Sequence, residues 1–200
     1  MYSSSIQQLI KAFSKLPSVG NRTAERYVFH LLKKGKKDAG ELTLALKTLM
    51  ENIKSCEICW NFSDISPCHI CTDQKRNQTI ICVVAEPQDL QVIEKTGEFK
   101  GVYHILRGHL DSDVENLDKL KIKELLERIK KTKPTEIILA LNPDLKGETT
   151  IMFLQNKIKE IDPDINISRL ARGLPMGSDL QYSDEITLTS ALKNRSKLNG

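Results

Sequence analysis

Two cysteine pairs, Cys56-Glu57-Ile58-Cys59 and Cys68-His69-Ile70-Cys71, stand eight residues apart in this chain. Each CxxC can sit on a tight turn and offer two thiolates to one ion. Two such turns complete a tetrahedral four-sulfur set that Zn2+ favours and that leaves no open coordination position. The 21 residues from Cys56 to Arg76 are polar and carry no apolar stripe, so burial alone cannot order them and metal ligation must supply the folding energy. Disulfides and unconnected thiols are the alternatives. Disulfides are disfavoured in a chain with no export signal, and a redox CxxC needs only one pair. One structural Zn2+ per chain is therefore expected on Cys56, Cys59, Cys68 and Cys71, with no chemistry at the ion. His69 lies inside the second pair and could replace one thiolate, although four already suffice. Cys82, in the run Ile80-Ile81-Cys82-Val83-Val84-Ala85, reads as a buried small hydrophobe.

Four regions flank and include this stretch. Residues 1–55 read as all helix: Ile6, Leu9, Ile10, Phe13 and Leu16, then Ala24, Tyr27, Val28, Leu31 and Leu32, then Leu42 through Ile53 recur at helical spacing. Pro17-Ser18-Val19-Gly20 breaks the first pair, and Gly35 and Gly40 bracket a gap before the third helix. Residues 56–76 are the cysteine segment. Residues 78–172 alternate strand and helix patterns: strands at 79–85, 102–106, 136–141 and 165–170, helices at 87–95, 117–131 and 148–161. That order argues for a mainly parallel sheet with helices packed on it. Residues 173–200 hold a Gly/Pro-rich loop, Gly173-Leu174-Pro175-Met176-Gly177, and a short helix near 186–193. The expected fold class is a multi-part α+β and α/β chain: an N-terminal helix-hairpin-helix, a small four-cysteine zinc knuckle, a parallel α/β sheet and a short C-terminal helical tail.

The hairpin carries the charge. The net formal charge is +4, yet residues 1–55 hold ten Lys/Arg against four Asp/Glu. A basic quarter on a near-neutral body points to a polyanion at that end; the alternative is a solvated lysine-rich surface. Leu16-Pro17-Ser18-Val19-Gly20-Asn21-Arg22-Thr23-Ala24 joins two amphipathic helices. Gly20 would let the backbone turn sharply and approach a ligand closely. The free N–H groups opening the second helix could hold a phosphate. Arg22 and Arg26 share a face there, and Lys33, Lys34, Lys36 and Lys37 follow one helix later. Such contacts grip the phosphate backbone without reading bases. A plain αα-hairpin with a glycine turn is the alternative.

Acidic residues follow two of the expected strands, where α/β sites form: Glu86 after the first, and Asn142, Asp144 and Glu148 after the third. The arrangement resembles a Toprim domain, in which a Glu and a D-x-D pair bind Mg2+ for phosphoryl chemistry. Asn142 stands where the first Asp of the pair belongs, and Lys146 brings a cation beside the site. Divalent affinity depends on carboxylate count, so no Mg2+ and no nuclease or topoisomerase activity is expected. These acids could equally be solvated loop residues and helix N-terminal charges.

The order of parts, hairpin, four-cysteine knuckle, incomplete Toprim and Gly-Leu-Pro tail, resembles the RecR family of bacterial recombination mediators over nearly the whole chain. The stretches that carry the resemblance are Leu16–Leu32, the cysteines with Arg76, Ile81–Glu94, Gly101–Leu106, Glu136–Thr150 and Arg169–Arg195. It implies sequence-independent binding of single- and double-stranded DNA by a ring-shaped homo-oligomer, a tetramer. It also implies RecO as a partner and in some contexts RecF, and help in loading RecA onto DNA coated by single-strand-binding protein. Arg22 and Arg26 match the family's basic hairpin positions. The tail's apolar run near Leu188 and the hairpin helices would serve assembly, and the acidic residues would form a partner surface. Two departures stand out: the loop from Asp111 to Asn116, and Lys146 in place of an acid before Gly147. No GxxxxGK[ST] phosphate loop is present, so ATP hydrolysis is not expected.

A Mg2+-dependent Toprim nuclease or primase-like enzyme is the rival reading; it needs the full acidic set that Asn142 breaks. A small zinc-dependent interaction module with no DNA role is the other; the Arg22/Arg26 hairpin argues against it. No apolar run reaches the ~18–20 residues of a membrane span, and residues 1–16 lack the basic start and apolar core of a signal peptide. A non-membrane, cytoplasmic location is expected.

Overall fold

The computed structural model describes residues 2–111 and 116–195, so the departure noted after Asp111 lies largely outside the described residues. The chain divides into two compact units, Met1–Ile53 and Lys54–Gly200. No helix among the described residues is long and apolar enough to cross a membrane.

The first unit is three helices: α1 (Ser4–Phe13), α2 (Asn21–Lys34) and α3 (Lys36–Asn52). Ile10, Ala24 and Val28 form its small buried centre, with Ile6, Phe13 and Val19 packed against them. The Phe13 and Tyr27 rings meet edge to face with centroids 5.9 Å apart. Gly35, at φ 92°, ends α2 and starts α3, a conformation that glycine adopts without penalty. The expected gap running to Gly40 is absent. The chain re-enters helix at Lys36 and passes straight through Gly40, which costs the helix roughly 1 kcal/mol relative to alanine. No residue of α3 is buried, and Leu44 and Met50 are 64% and 76% exposed.

The second unit opens with the cysteine segment. A two-residue antiparallel pair, β1 (Lys54–Ser55) and β2 (Phe62–Ser63), and one helical turn, α4 (His69–Thr72), frame the four thiols. Next come β3 (Asn77–Val84), α5 (Pro87–Thr96), β4 (Gly101–Ile105), α6 (Ile122–Thr132), β5 (Glu136–Leu139), α7 (Leu145–Ile161), β6 (Asn166–Arg169) and α8 (Glu185–Lys193). The four strands form one sheet in the order β4-β3-β5-β6, with every pair parallel. The expected helix from Leu117 starts as a 3-10 turn over Leu117–Lys119 and becomes α-helical only at Ile122.

Strand alternation divides the core of this unit into two. Ile81, Val83 and Ala85 bury against Leu125 and Ile129 of α6 and Leu154 and Ile158 of α7. Cys82 and Val84 point the other way, into a cluster with Leu90 of α5, Tyr103 and Ile105 of β4, and all four cysteines of the knuckle. The cysteine segment is thus part of one face of the sheet. This is how a stretch with no apolar stripe acquires a core: it borrows one.

Candidate functional site

The four thiols converge. The sulfurs of Cys56, Cys59, Cys68 and Cys71 all lie within 4.8 Å of one another, with Cys56 to Cys71 at 3.9 Å and Cys59 to Cys68 at 3.6 Å. A tetrahedral ion with bonds of about 2.3 Å sets its sulfur ligands about 3.8 Å apart, so the set fits Zn2+. Local backbone produces this geometry. Trp60 N–H donates to Cys56 O at 2.9 Å and Cys56 N–H to Asn61 O at 2.8 Å, which curls the first CxxC; Trp60 takes the left-handed φ of 65° that the curl requires. The second pair sits on α4, whose N-cap is Cys68, and the Cys68 N–H points at Cys56 Sγ at 3.3 Å.

All four residues are nearly solvent-free, and the crowding separates the acidities of Cys59, Cys68 and Cys71. The hydrogen bond with Cys68 pushes Cys59 up to about 12. Bonds from Cys59 and Cys71 hold Cys68 far below the usual thiol range, and Cys59 and Cys68 together push Cys71 up. Four thiols packed this closely cannot all ionise unless a cation sits among them, and a divalent ion removes that conflict. His69 takes no part in the convergent set. Cys82 is 2% exposed, and burial pushes its thiol up to about 12, which makes it inert.

In the first unit, Arg22, Arg26, Lys33 and Lys34 are all exposed on α2. At 3.6 residues per turn Arg22, Arg26 and Lys33 fall within about 40° of one another, roughly opposite the buried Ala24 and Val28, whereas Lys34 lies about 100° round from Lys33. Among the described residues none of the four is in a salt bridge. The N-terminus of α2 has no side-chain cap, so its first N–H groups remain available to an anion. Gly20 does not make the sharp turn. It is extended at φ −76°, and the left-handed position is Ser18 at φ 62°. A Cβ at Gly20 would meet nothing within 4 Å, so the space above it is open.

Of the acidic residues after the strands, Asp144 and Glu148 are engaged elsewhere. Asp144 caps α7, its Oδ1 accepting from Gly147 N–H at 2.7 Å. Glu148 pairs with Arg172 and with Arg169, the latter at 3.3 Å. Lys146 reaches Asp111 at 3.1 Å. Asn142 closes against Gly147 through its backbone. The Glu86 N–H, at the start of α5, donates to Asp89 at 2.9 Å. Among the described residues the cysteines are the one cluster of three or more potential metal ligands, and Glu86, Asp144 and Glu148 do not converge into another.

Sequence reading missed two arginines that reach the knuckle from the sheet side. Arg107 follows β4 at the left-handed φ of 66°, and Arg128 lies within the charged pattern of α6. A cation in such a helix reads as solvated, and nothing in the spacing marks either one.

Four family models match the chain in sequence. They are the RecR helix-hairpin-helix (residues 6–50), the RecR four-cysteine zinc finger domain (53–73), the Toprim domain (79–171) and the RecR C-terminal region (173–196). Among curated proteins, the recombination protein RecR of Bifidobacterium adolescentis is 43% identical, covering 97% of this chain and 96% of its own. That of Rubrobacter xylanophilus is 40% identical over 98% of each chain. That of Gloeobacter violaceus is 44% identical over 99% of this chain and all of its own.

Proposed function

The chain belongs to the RecR family, and on that premise we propose that it is a DNA-binding recombination mediator with no enzymatic activity of its own. It acts in the cytoplasm with RecO, and in some contexts RecF, to promote RecA loading onto DNA coated by single-strand-binding protein. The observation that carries this reading is the α2 surface. Arg22, Arg26 and Lys33 form an exposed stripe running from an uncapped helix N-terminus with open space above Gly20. A stripe about 16 Å long suits successive phosphates and reads no bases. Single- and double-stranded DNA are therefore both bound, independently of sequence.

The four regions divide the work. Residues 1–55 bind DNA, and 56–76 hold one structural Zn2+ on Cys56, Cys59, Cys68 and Cys71. Residues 78–172 present the Toprim-like sheet, and 173–200 serve assembly. The unburied apolar residues of α3, and Ile186 and Leu192 of α8 at 83% and 66% exposure, supply surfaces for a ring-shaped tetramer. Glu148 and Asp144, committed to arginines and a helix cap, leave the Toprim-like region without a Mg2+ set and free to act as a partner surface.

The test is RecA loading. With RecO present, added protein should raise the rate of RecA's DNA-dependent ATP hydrolysis on coated single strands, and plasmid incubated with the protein and Mg2+ should stay intact. No gain in RecA loading would sink the mediator reading, and dose-dependent nicking by clean protein would sink the non-enzymatic one.

A further inference from the structure

Three consecutive carbonyls of the first knuckle are held from the sheet side. Ile58 O accepts from Arg128 Nη1 at 3.3 Å, Cys59 O from the Ile105 N–H at 2.8 Å and Trp60 O from Arg107 Nε at 2.7 Å. The two guanidinium groups therefore bracket one residue of the thiol cluster, one on each side of Cys59. Arg128 Nη1 also takes Tyr103 O at 2.7 Å. Arg107 is fixed further by Ser55 Oγ at 3.0 Å and by the Phe62 ring, whose centroid lies 3.6 Å from the guanidinium carbon.

These contacts fall on an edge. β4 is the last strand of the sheet, and residues two apart on a strand direct their backbone groups to the same side. Tyr103 and Ile105 turn that side outward. The knuckle and Arg128 cover it, which keeps an apolar, fully buried strand from presenting an open edge.

The charges also match. Four thiolates around one Zn2+ leave the centre doubly negative, and a buried charge is costly unless opposed. Two guanidinium groups arrive to oppose it. Burial pulls Arg128 down from its ordinary value, and the negative charge of Cys71, Cys59, Cys56 and Cys68 pulls it back up.

We propose that Arg107 and Arg128 are the counter-cations of the four-cysteine zinc centre, coupling metal occupancy to closure of the β4 edge. They are positioning residues: neither touches the metal, and each acts through the charge and backbone of the knuckle. This rests on the zinc reading of the four cysteines. Loss of the ion returns protons to the thiols, leaving Arg128 without its opposing charge and Arg107 with that of Glu86 alone. The knuckle then releases Tyr103 O and the Ile105 N–H.

The experiment is zinc release from the full-length protein into an excess of a colorimetric zinc chelator, followed by its absorbance, for wild type, Arg128→Met, Arg128→Lys, Arg107→Met and Arg107→Lys. Hydrogen exchange at the Ile105 amide is read before and after metal removal. Wild type should carry one zinc per chain; protein purified without zinc overturns the zinc reading and this inference with it. The Met variants should release zinc about tenfold faster, the size usual for groups that support metal ligands. The Lys variants, which keep the charge and lose the fork, should stay within about threefold of wild type. Stripping should speed exchange at Ile105. Zinc-loaded Met variants that release the ion at the wild-type rate, or Lys variants as fast as Met, would overturn the counter-cation role while leaving the zinc site standing. Should Arg128→Met fail to fold, the Arg107 pair decides by the same criteria.

Discussion

A methyl group placed on Gly147 would collide with the carbonyl oxygen of Asn142, far inside van der Waals contact. The turn from β5 into α7 is closed so tightly there that only a hydrogen fits. Asp144 locks the same turn by accepting from the Gly147 N–H at 2.7 Å. Gly147→Ala is therefore expected to destabilise the protein by about 3 kcal/mol, at the upper end for overpacking because the obstacle is backbone. Urea denaturation measures this, with Gly173→Ala, which meets nothing within 4 Å, as the comparison. Equal stability of the two variants would mean that the turn can open.

Gly20→Ser separates stability from binding at one residue. Serine at the N-cap of α2 would satisfy a free N–H of the first turn and stabilise the helix by a few tenths of a kcal/mol. The same hydroxyl would compete with a phosphate for those N–H groups. Melting temperature should hold or rise while DNA affinity falls. Affinity that tracks stability instead would show that the helix start is not part of the interface.

Cys59→Ser should lose the bound zinc and disorder the knuckle, because three thiolates cannot complete a closed tetrahedral site. Its sulfur also belongs to the buried cluster with Val84 and Tyr103, so the sheet unit should melt at a lower temperature. Metal analysis and thermal denaturation together check this. Full zinc content in the variant would refute the four-thiolate assignment.

His104 predicts a pH dependence. Its ring is fully buried in β4, Nε2–H donates to Lys121 O at 2.8 Å, and Nδ1 has no partner among the described residues. Burial pulls its pKa down to about 4, below the ordinary value near 6.5. The unfolded chain takes up the proton first. The stability tied to this histidine is thus complete above about pH 6.5 and is lost as pH falls from there through about 4. The effect is on the order of 3 kcal/mol at its limit. Denaturation at pH 7.5 and pH 5 should show a larger loss in wild type than in His104→Gln, since zinc release at acid pH weakens both. Equal losses would remove His104 as the cause.

Much of this architecture is legible in the chain because the signals are local. The CxxC pairs fix a sulfur cluster by spacing alone, and the β-branched run ending at Val84 and Ala85 announces a buried strand. What escapes is set by long-range partners. Nothing near Arg128 tells that its guanidinium meets Ile58, 70 residues away. Asp144 and Glu148 look alike in sequence as site carboxylates. One becomes a helix cap and the other is drawn to Arg169 and Arg172, because those arginines arrive from the end of β6. Ser18 rather than Gly20 takes the left-handed turn, a choice between neighbours that glycine's permissiveness does not decide. The run through Gly40 shows the helical stripe of α3 overriding a local breaker.

A protein that grips DNA through α2 must show it in fluorescence anisotropy across a salt series. Labelled single- and double-stranded DNA would be titrated with wild type and with the double variant Arg22→Ala, Arg26→Ala, the oligomeric mass being determined in the same buffer. An oligomer should bind both DNA forms with strong salt dependence. The variant, equally folded and of equal mass, should bind more weakly, with the slope of log K against log salt reduced by about 2, one phosphate contact per arginine. An unchanged isotherm and slope in the variant would rule out α2 as the grip and place the DNA elsewhere on the molecule.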